Sequence, residues 1–148
     1  MGRIEFLFWG HTNNRQVIRG SWEYKSKVVD HGAGRKVTLI GYSQGAAVAL
    51  LLGAALKGAG VVVHVVVLRG QYEASASADA SLPNLNWDFP VTAMLGKQDR
   101  QAPLWASKGS LRQLRDHGCS VTVMVEKRAG HVNITQRELM ALMAMLPL

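Results

Sequence analysis

The sequence has little of what marks several common classes of protein. Its single cysteine, Cys119, rules out an internal disulfide and is consistent with a reducing, cytoplasmic location. No apolar run approaches the roughly 20 residues that a membrane-spanning helix needs, so we expect no membrane span. The first ten residues, MGRIEFLFWG, lack a small-residue cleavage site and are typical of a strand rather than a signal peptide.

Charge of one sign is nowhere concentrated along the chain, although the net charge is +7. A basic protein attracts anionic partners, nucleic acid among them. The 17 lysines and arginines are scattered, however, with no run longer than two, and aromatic residues are not interleaved with them. A nucleic-acid stacking platform requires such interleaving. We therefore interpret the charge as a solvated surface and expect no nucleic-acid partner.

Strand and helix signals alternate along the 148 residues, without repeats, low-complexity tracts or a linker. β-Branched and aromatic runs predict strands at 4–9, 37–41, 61–68, 91–96 and 120–126, of which 61–68 is apolar on both faces. Capping and stop residues predict helices at 21–31, 44–57, 103–117 and 133–145. We expect one α/β domain over residues 1–148, a three-layer sandwich with about five mostly parallel strands flanked by helices.

The segment GYSQG, residues 41–45, joins a predicted strand directly to a predicted helix. Gly41 and Gly45 remove side chains that would collide in so sharp a turn, and the turn exposes the hydroxyl of Ser43. The backbone N–H of Gln44 opens the helix, where free N–H groups and the helix dipole favour an oxyanion. This is the G-x-S-x-G nucleophile elbow in its expected context, and an ordinary phosphate-binding turn is the alternative.

A serine hydroxyl needs a base to become a nucleophile, and the base needs an orienting acid. The elbow architecture places them in the chain order serine, acid, histidine. Asp99 follows the predicted strand 91–96, and His131 follows the last predicted strand. Because the carboxyl ends of parallel strands meet at one edge of the sheet, we predict that Ser43, Asp99 and His131 lie together.

Other aspartates and histidines are weaker candidates for these roles. The aspartates lie in an irregular stretch or at a helix end: Asp79, Asp88 and Asp116. Two histidines lie at predicted helix ends, where a cation meets the negative end of the dipole: His31 and His117. His64 is in the middle of a strand and is interpreted as a packed core residue, whereas His11 follows the first strand and could lie near the site.

Three stretches resemble one known family. GYSQG followed by AAV resembles the serine region of carboxylesterases, acyl-protein thioesterases and cutinases in the α/β-hydrolase superfamily. LGKQDRQAP resembles the esterase pattern Gly-x-x-Asp followed by a pair ending in proline, and AGHV resembles the family's Gly-His. The resemblance covers most of the chain from Lys36 onward. It implies a serine hydrolase that cleaves a small-molecule carboxylic ester or thioester through Ser43, His131 and Asp99, without a cofactor or metal.

The family resemblance also implies a second oxyanion donor, in the turn after an earlier strand that usually ends in His-Gly. The matching residues are Trp9 and Gly10, so the donor would be the N–H of His11. Trp9 departs from the family's histidine and could equally form a wall of the pocket.

Family members usually carry more strands than the five predicted here. The last helix is then left to cover one sheet face largely alone, so we expect a homodimer in which the partner chain covers the remainder. The alternative interpretation of the shortened chain is a catalytically weak hydrolase that acts as a binding or interaction module.

Basic residues follow several predicted strand ends on the side of the elbow and could attract an acidic substrate: Arg69, Lys97, Arg100, Lys127 and Arg128. Loops of this kind are often polar without such a role. The irregular stretch 69–89 is the candidate lid. The candidate substrate-binding residues are Trp9, Tyr42, Arg69, Tyr72 and Arg100.

Overall fold

A parallel β-sheet forms the centre of the protein. The computed structural model describes residues 3–7, 36–72 and 84–146, with the backbone alone for residues 3–7. The described strands are β1 (Arg3–Leu7), β2 (Lys36–Tyr42), β3 (Val62–Leu68), β4 (Pro90–Gly96) and β5 (Ser120–Glu126). Each pairs in parallel with the next described strand, so the order in the sheet is β1-β2-β3-β4-β5. Side chains are described on β2 to β5.

Helices lie on both faces of this sheet. Within the described ranges they are α1 (Gln44–Gly58), α2 (Leu104–His117) and α3 (Gln136–Met145). Side chains of α1 and α2 pack in one apolar cluster with alternate strand residues, such as Leu39 and Val65. The intervening strand residues, such as Ile40 and Met94, form a second cluster with Leu142 of α3 on the opposite face. The predicted α/β sandwich with a parallel sheet is therefore confirmed.

Two predicted elements have a boundary that differs from the observed one by two residues or more. The strand predicted at 4–9 is Arg3–Leu7, and the helix predicted at 21–31 lies outside the described residues. The helix predicted from residue 133 begins only at Gln136. Thr135 Oγ1 accepts a hydrogen bond from the N–H of Glu138 at 3.2 Å, and the Thr135 N–H donates to Glu138 Oε2 at 3.0 Å. This capping box sets the start of α3 and leaves residues 127–135 as a loop.

The face of the sheet that carries α3 is partly open to solvent. Four apolar side chains of β3 and α3 are each more than half exposed: Val62, Leu139, Met140 and Met143. The predicted core residue His64 is half-buried, with its Nε2 atom 3.0 Å from Thr92 Oγ1. The strand predicted to be apolar on both faces is thus partly solvated, and the predicted homodimer stays a prediction.

None of the helices in the part of the chain that the structure describes has the length and apolar character needed to cross a membrane. The predicted cytoplasmic location stays a prediction. Cys119 is buried beside the start of β5, and burial raises the pKa of its thiol to about 11.

Candidate active site

Ser43 occupies a strained turn between β2 and α1. Its backbone has φ 53° and ψ −120°, a conformation that residues with a side chain rarely adopt. The Ser43 N–H donates to the carbonyl of Leu68 at 2.9 Å, which ties the turn to the end of β3. A strained serine at this position matches the predicted nucleophile elbow.

Two glycines make room for this turn. A Cβ atom on Gly41 would overlap the carbonyl oxygen of Gly45 and lie 2.7 Å from the Cα atom of Ala46. A Cβ atom on Gly70 would overlap the Cβ atom of Ala46 and lie 2.6 Å from the carbonyl oxygen of Ser43. The role of Gly41 follows from the predicted motif. The role of Gly70 could not be predicted from the motif, because Gly70 contacts the turn only through the position of the chain after β3.

The structure brings Ser43, His131 and Asp99 into hydrogen-bonding reach of one another. Ser43 Oγ lies 2.9 Å from His131 Nε2. On the other side of the ring, His131 Nδ1 lies 2.9 Å from Asp99 Oδ2 and 3.1 Å from Asp99 Oδ1. The imidazole therefore stands between the hydroxyl and the carboxylate, in the order that a serine nucleophile, a base and an acid require.

Asp99 is held in place by the loop that carries it. Its Oδ1 atom accepts hydrogen bonds from the N–H groups of Gln101 at 2.9 Å and Ala102 at 2.8 Å. The side chain is 1% exposed, against 11% for His131, so the carboxylate is shielded while the imidazole stays reachable from solvent. Because the two backbone donors bind Oδ1, the second oxygen is left to face the imidazole.

Tyr42 contacts His131 and is partly buried. Its hydroxyl donates to the backbone carbonyl of His131, and the two rings lie 5.7 Å apart at an interplanar angle of 46°. Burial raises the pKa of Tyr42; the positive charge of Arg69 opposes this rise, and the negative charge of Asp99 adds to it. The hydroxyl thus stays protonated and available as a donor. Tyr42 was predicted to bind substrate, and its observed contact is with the loop that carries His131.

Arg69 and Tyr72 were predicted to bind substrate, but both side chains are buried and have partners inside the protein. The Arg69 side chain has 0% exposure and pairs with Glu138, so its charge is already matched inside the protein. Tyr72 is 6% exposed, and its ring packs edge-on against Trp87 at 5.3 Å and His117 at 5.8 Å. His117 ends α2 at the sheet edge where β5 starts, which is opposite to the edge that carries Ser43.

Of the remaining predicted site residues, two are exposed and two lie outside the described residues. Gln44, the first residue of α1, and Arg100, next to Asp99, are both exposed. His11 and Trp9, predicted for the second oxyanion donor and the pocket wall, lie outside the described residues.

The charged side chains that are exposed on the loops of Asp99 and His131 are basic, and the other exposed side chains there are apolar or uncharged. Lys97, Arg100, Lys127 and Arg128 are exposed, whereas the Glu126 side chain is only 16% exposed and pairs with Arg137 at 3.2 Å. Val132 and Trp105 are 82% and 79% exposed. Within residues 36–72 and 84–146, no three histidine, cysteine, aspartate or glutamate side chains lie together so that they could hold a metal ion.

Several solved structures have the same fold. Arabidopsis thaliana SOBER1 superposes with a TM-score of 0.68 at 21% sequence identity, covering 91% of this chain and 65% of that one. Zea mays acyl-protein thioesterase 2 gives a TM-score of 0.68 at 18% identity, covering 89% and 64%. A phospholipase/carboxylesterase from Dyadobacter fermentans gives 0.62 at 18% identity, covering 87% and 62%.

These similarities show that the chain has the α/β-hydrolase fold, as the three sequence stretches predicted. The chain spans about 65% of the length of SOBER1, so it corresponds to part of that protein. Neither a family model nor a curated protein matches the sequence. Because a fold hosts many activities, the function has to be argued from the site itself.

Proposed function

We propose that this protein is a serine hydrolase that cleaves a small carboxylic ester or thioester through an acyl-enzyme intermediate. The observation that carries the proposal is the continuous hydrogen-bonded path from Ser43 Oγ through the His131 ring to the Asp99 carboxylate. The strained backbone of Ser43 supports it independently, because strain of this kind is retained mainly at functional positions. The similarity to esterase and thioesterase structures agrees with this reaction class.

In the first step, His131 Nε2 accepts the proton of Ser43 Oγ as that oxygen attacks the carbonyl carbon. Asp99 keeps the ring oriented and stabilises the imidazolium that forms. The tetrahedral intermediate then collapses: the bond to the alcohol or thiol breaks, and His131 returns the proton to this leaving group. In the second step, water repeats the attack on the acyl-Ser43 ester, and the acid is released.

The oxyanion of each tetrahedral intermediate needs hydrogen-bond donors. The backbone N–H of Gln44 is at the start of α1, where the first N–H groups of a helix have no partner within the helix. One such donor contributes about 3–4 kcal/mol to transition-state stabilisation. We propose Gln44 as one donor and the N–H of His11 as the second. The reaction as proposed requires no cofactor or metal, since its proton transfers are all carried by side chains of this chain.

A fluorophosphonate probe tests the proposal directly, because it forms a covalent adduct only with an activated serine. We expect the wild-type protein to acquire one adduct, located at Ser43 by peptide mass spectrometry. Ser43→Ala should not be labelled. Ser120→Ala, which removes an exposed serine at the start of β5, is the matched control and should be labelled like the wild type. Folded wild-type protein that remains unlabelled would favour the alternative of a binding module.

The basic surface around the site predicts a preference for anionic esters. At about 0.01 M ionic strength charges act over roughly 30 Å, and at about 1 M over roughly 3 Å. We therefore expect KM for a carboxylate-bearing p-nitrophenyl ester to rise severalfold over this range, while KM for the neutral acetate ester stays constant.

Two variants test which basic residue causes the salt dependence of KM for the anionic ester. Arg100→Gln should weaken the salt dependence, because Arg100 is exposed next to Asp99. Arg115→Gln, in the last turn of α2, is the control and should retain it. Equal salt responses for the charged and the neutral ester would contradict the preference while leaving the hydrolase proposal intact.

A further inference from the structure

Arg69 is the first residue after β3 and lies between the strands that carry the other site residues. Its backbone has a φ of 51°, and its N–H donates to the carbonyl of Met94 in β4 at 3.1 Å. Neither the Arg69 side chain nor that of Glu138 has exposed surface, and Arg69 Nη1 lies 2.6 Å from Glu138 Oε1. A fully buried ion pair next to the site calls for an explanation, because charges are costly to remove from water.

The guanidinium group uses all five of its N–H donors. Two of the hydrogen bonds go to Glu138: Nη1 donates to Oε1 at 2.6 Å, and Nη2 donates to Oε2 at 2.7 Å. A third runs from Nη1 to the carbonyl of Met94 at 2.9 Å. The last two reach the loop of His131, from Nε to the carbonyl of Gly130 at 2.8 Å and from Nη2 to the carbonyl of Asn133 at 2.9 Å.

These last two contacts hold the backbone on both sides of His131. Gly130 immediately precedes the histidine, and Asn133 follows it by two residues. Asn133 Oδ1 also accepts a hydrogen bond from the Gly130 N–H at 2.7 Å, which closes the loop on itself. With the hydroxyl of Tyr42 on the carbonyl of His131, the loop is hydrogen-bonded at three of the four residues from 130 to 133.

Glu138 links the guanidinium to the start of α3. The carboxylate oxygen Oε2 accepts both from Arg69 and from the backbone N–H of Thr135 in the capping box. The first turn of α3, the end of β3 and the loop of His131 are thereby joined through one pair of side chains. We propose that the Arg69–Glu138 pair positions His131 against Ser43, an inference that rests on the proposed hydrolase function.

Stability alone does not account for this pair. Buried ion pairs can often be replaced by apolar side chains of similar volume without loss of stability, whereas removing one partner is strongly destabilising. Apolar side chains cannot donate to the carbonyls of Gly130 and Asn133, however. The loop lies at the surface, where Val132 is 82% exposed, so its carbonyls can turn to water once the guanidinium is gone.

The double variant Arg69→Met with Glu138→Leu separates positioning from stability. We expect it to unfold cooperatively, to keep KM for p-nitrophenyl acetate within about twofold, and to lose about 100-fold in kcat, because a small displacement of a catalytic group has an effect of this size. Labelling of Ser43 by the fluorophosphonate probe should slow in parallel. A folded double variant with wild-type kcat would overturn the proposal.

Arg137→Ala is the matched control. Arg137 pairs with Glu126 at 3.2 Å and so also joins α3 to the end of β5, but its side chain is 70% exposed and the pair is at the surface. We expect kcat and KM of this variant to equal those of the wild type. Loss of kcat in the control equal to that of the double variant would mean that any link to α3 has the same effect, which overturns the specific role of Arg69.

Arg69→Lys keeps the test decisive if the double variant does not fold. A lysine retains the charge opposite Glu138 but has three donors at a single point, so it cannot reach both loop carbonyls and Glu138 at once. We expect a folded protein with reduced kcat and unchanged KM. Full activity of Arg69→Lys would overturn the proposal, because a point charge would then suffice.

Hydrogen exchange distinguishes failure of this inference from failure of the proposed function. If the wild type neither hydrolyses esters nor reacts with the probe, the hydrolase proposal fails. The positioning contacts then still predict faster amide exchange at residues 127–134 in the Arg69 variants than in the wild type, with unchanged exchange in α1. Unchanged exchange in that loop would overturn the positioning role independently of any activity.

Discussion

Ser43→Ala should lower kcat for a short p-nitrophenyl ester by about 10⁶-fold, the size of loss seen when a serine nucleophile is removed from an acyl-transfer enzyme. The hydroxyl is the atom that forms the acyl bond, and alanine offers nothing for His131 Nε2 to deprotonate. Steady-state release of p-nitrophenolate, compared with a buffer blank, measures the effect. Ester hydrolysis by Ser43→Ala at the wild-type rate would eliminate the proposed mechanism.

The alanine variant should fold like the wild type, which makes its loss of activity interpretable. Alanine and serine both carry a Cβ atom, so the strain of a φ of 53° is present in each. The N–H of residue 43 still donates to the carbonyl of Leu68. We therefore expect only a small change in thermal midpoint, with Ser120→Ala as the control for removal of a serine hydroxyl.

Asp99→Asn is expected to have the second largest effect, a fall in kcat of about 10⁴-fold. The N–H groups of Gln101 and Ala102 both donate to Asp99 Oδ1, so they fix the carbonyl end of the new amide at that position. Its NH₂ group then faces His131 Nδ1 and donates to it, which places the ring proton on Nε2. A protonated Nε2 cannot accept the proton of Ser43, so the base is lost although the atoms have hardly moved.

The measurement is kcat for a neutral ester at constant pH, with the fold checked by thermal unfolding. Asp116→Asn, an exposed aspartate near the end of α2, is the matched control and should retain full activity. Wild-type kcat in Asp99→Asn would show that the carboxylate does not set the protonation of the imidazole.

The arrangement of Ser43, Asp99 and His131 could be predicted from the sequence because it depends on connectivity. A parallel sheet delivers the carboxyl ends of its strands to one edge, and each of the three residues follows such an end. The glycine at 41 and the helix that starts at Gln44 are likewise local features. No knowledge of side-chain direction was needed to bring these groups together.

The sequence could not show in which direction the side chains of Arg69 and Tyr72 point. Arg69 and Tyr72 follow a strand end on the same side as Ser43, yet one turns inward and the other packs toward the opposite sheet edge. The partner that draws Arg69 inward is Glu138, 69 residues along the chain. The spacing of Thr135 and Glu138 signals a capping box, but it does not indicate that the same carboxylate neutralises a buried arginine.

The order of the strands has a consequence for how the protein is made. Each described strand pairs with the described strand before it, so this sheet can grow by one strand at a time during synthesis. The turn of Ser43 is complete once β3 has docked, but its histidine arrives only with the segment after β5. A chain synthesised only as far as β5 therefore carries a serine without a base, and the reactive centre is complete only after the segment with His131 has folded.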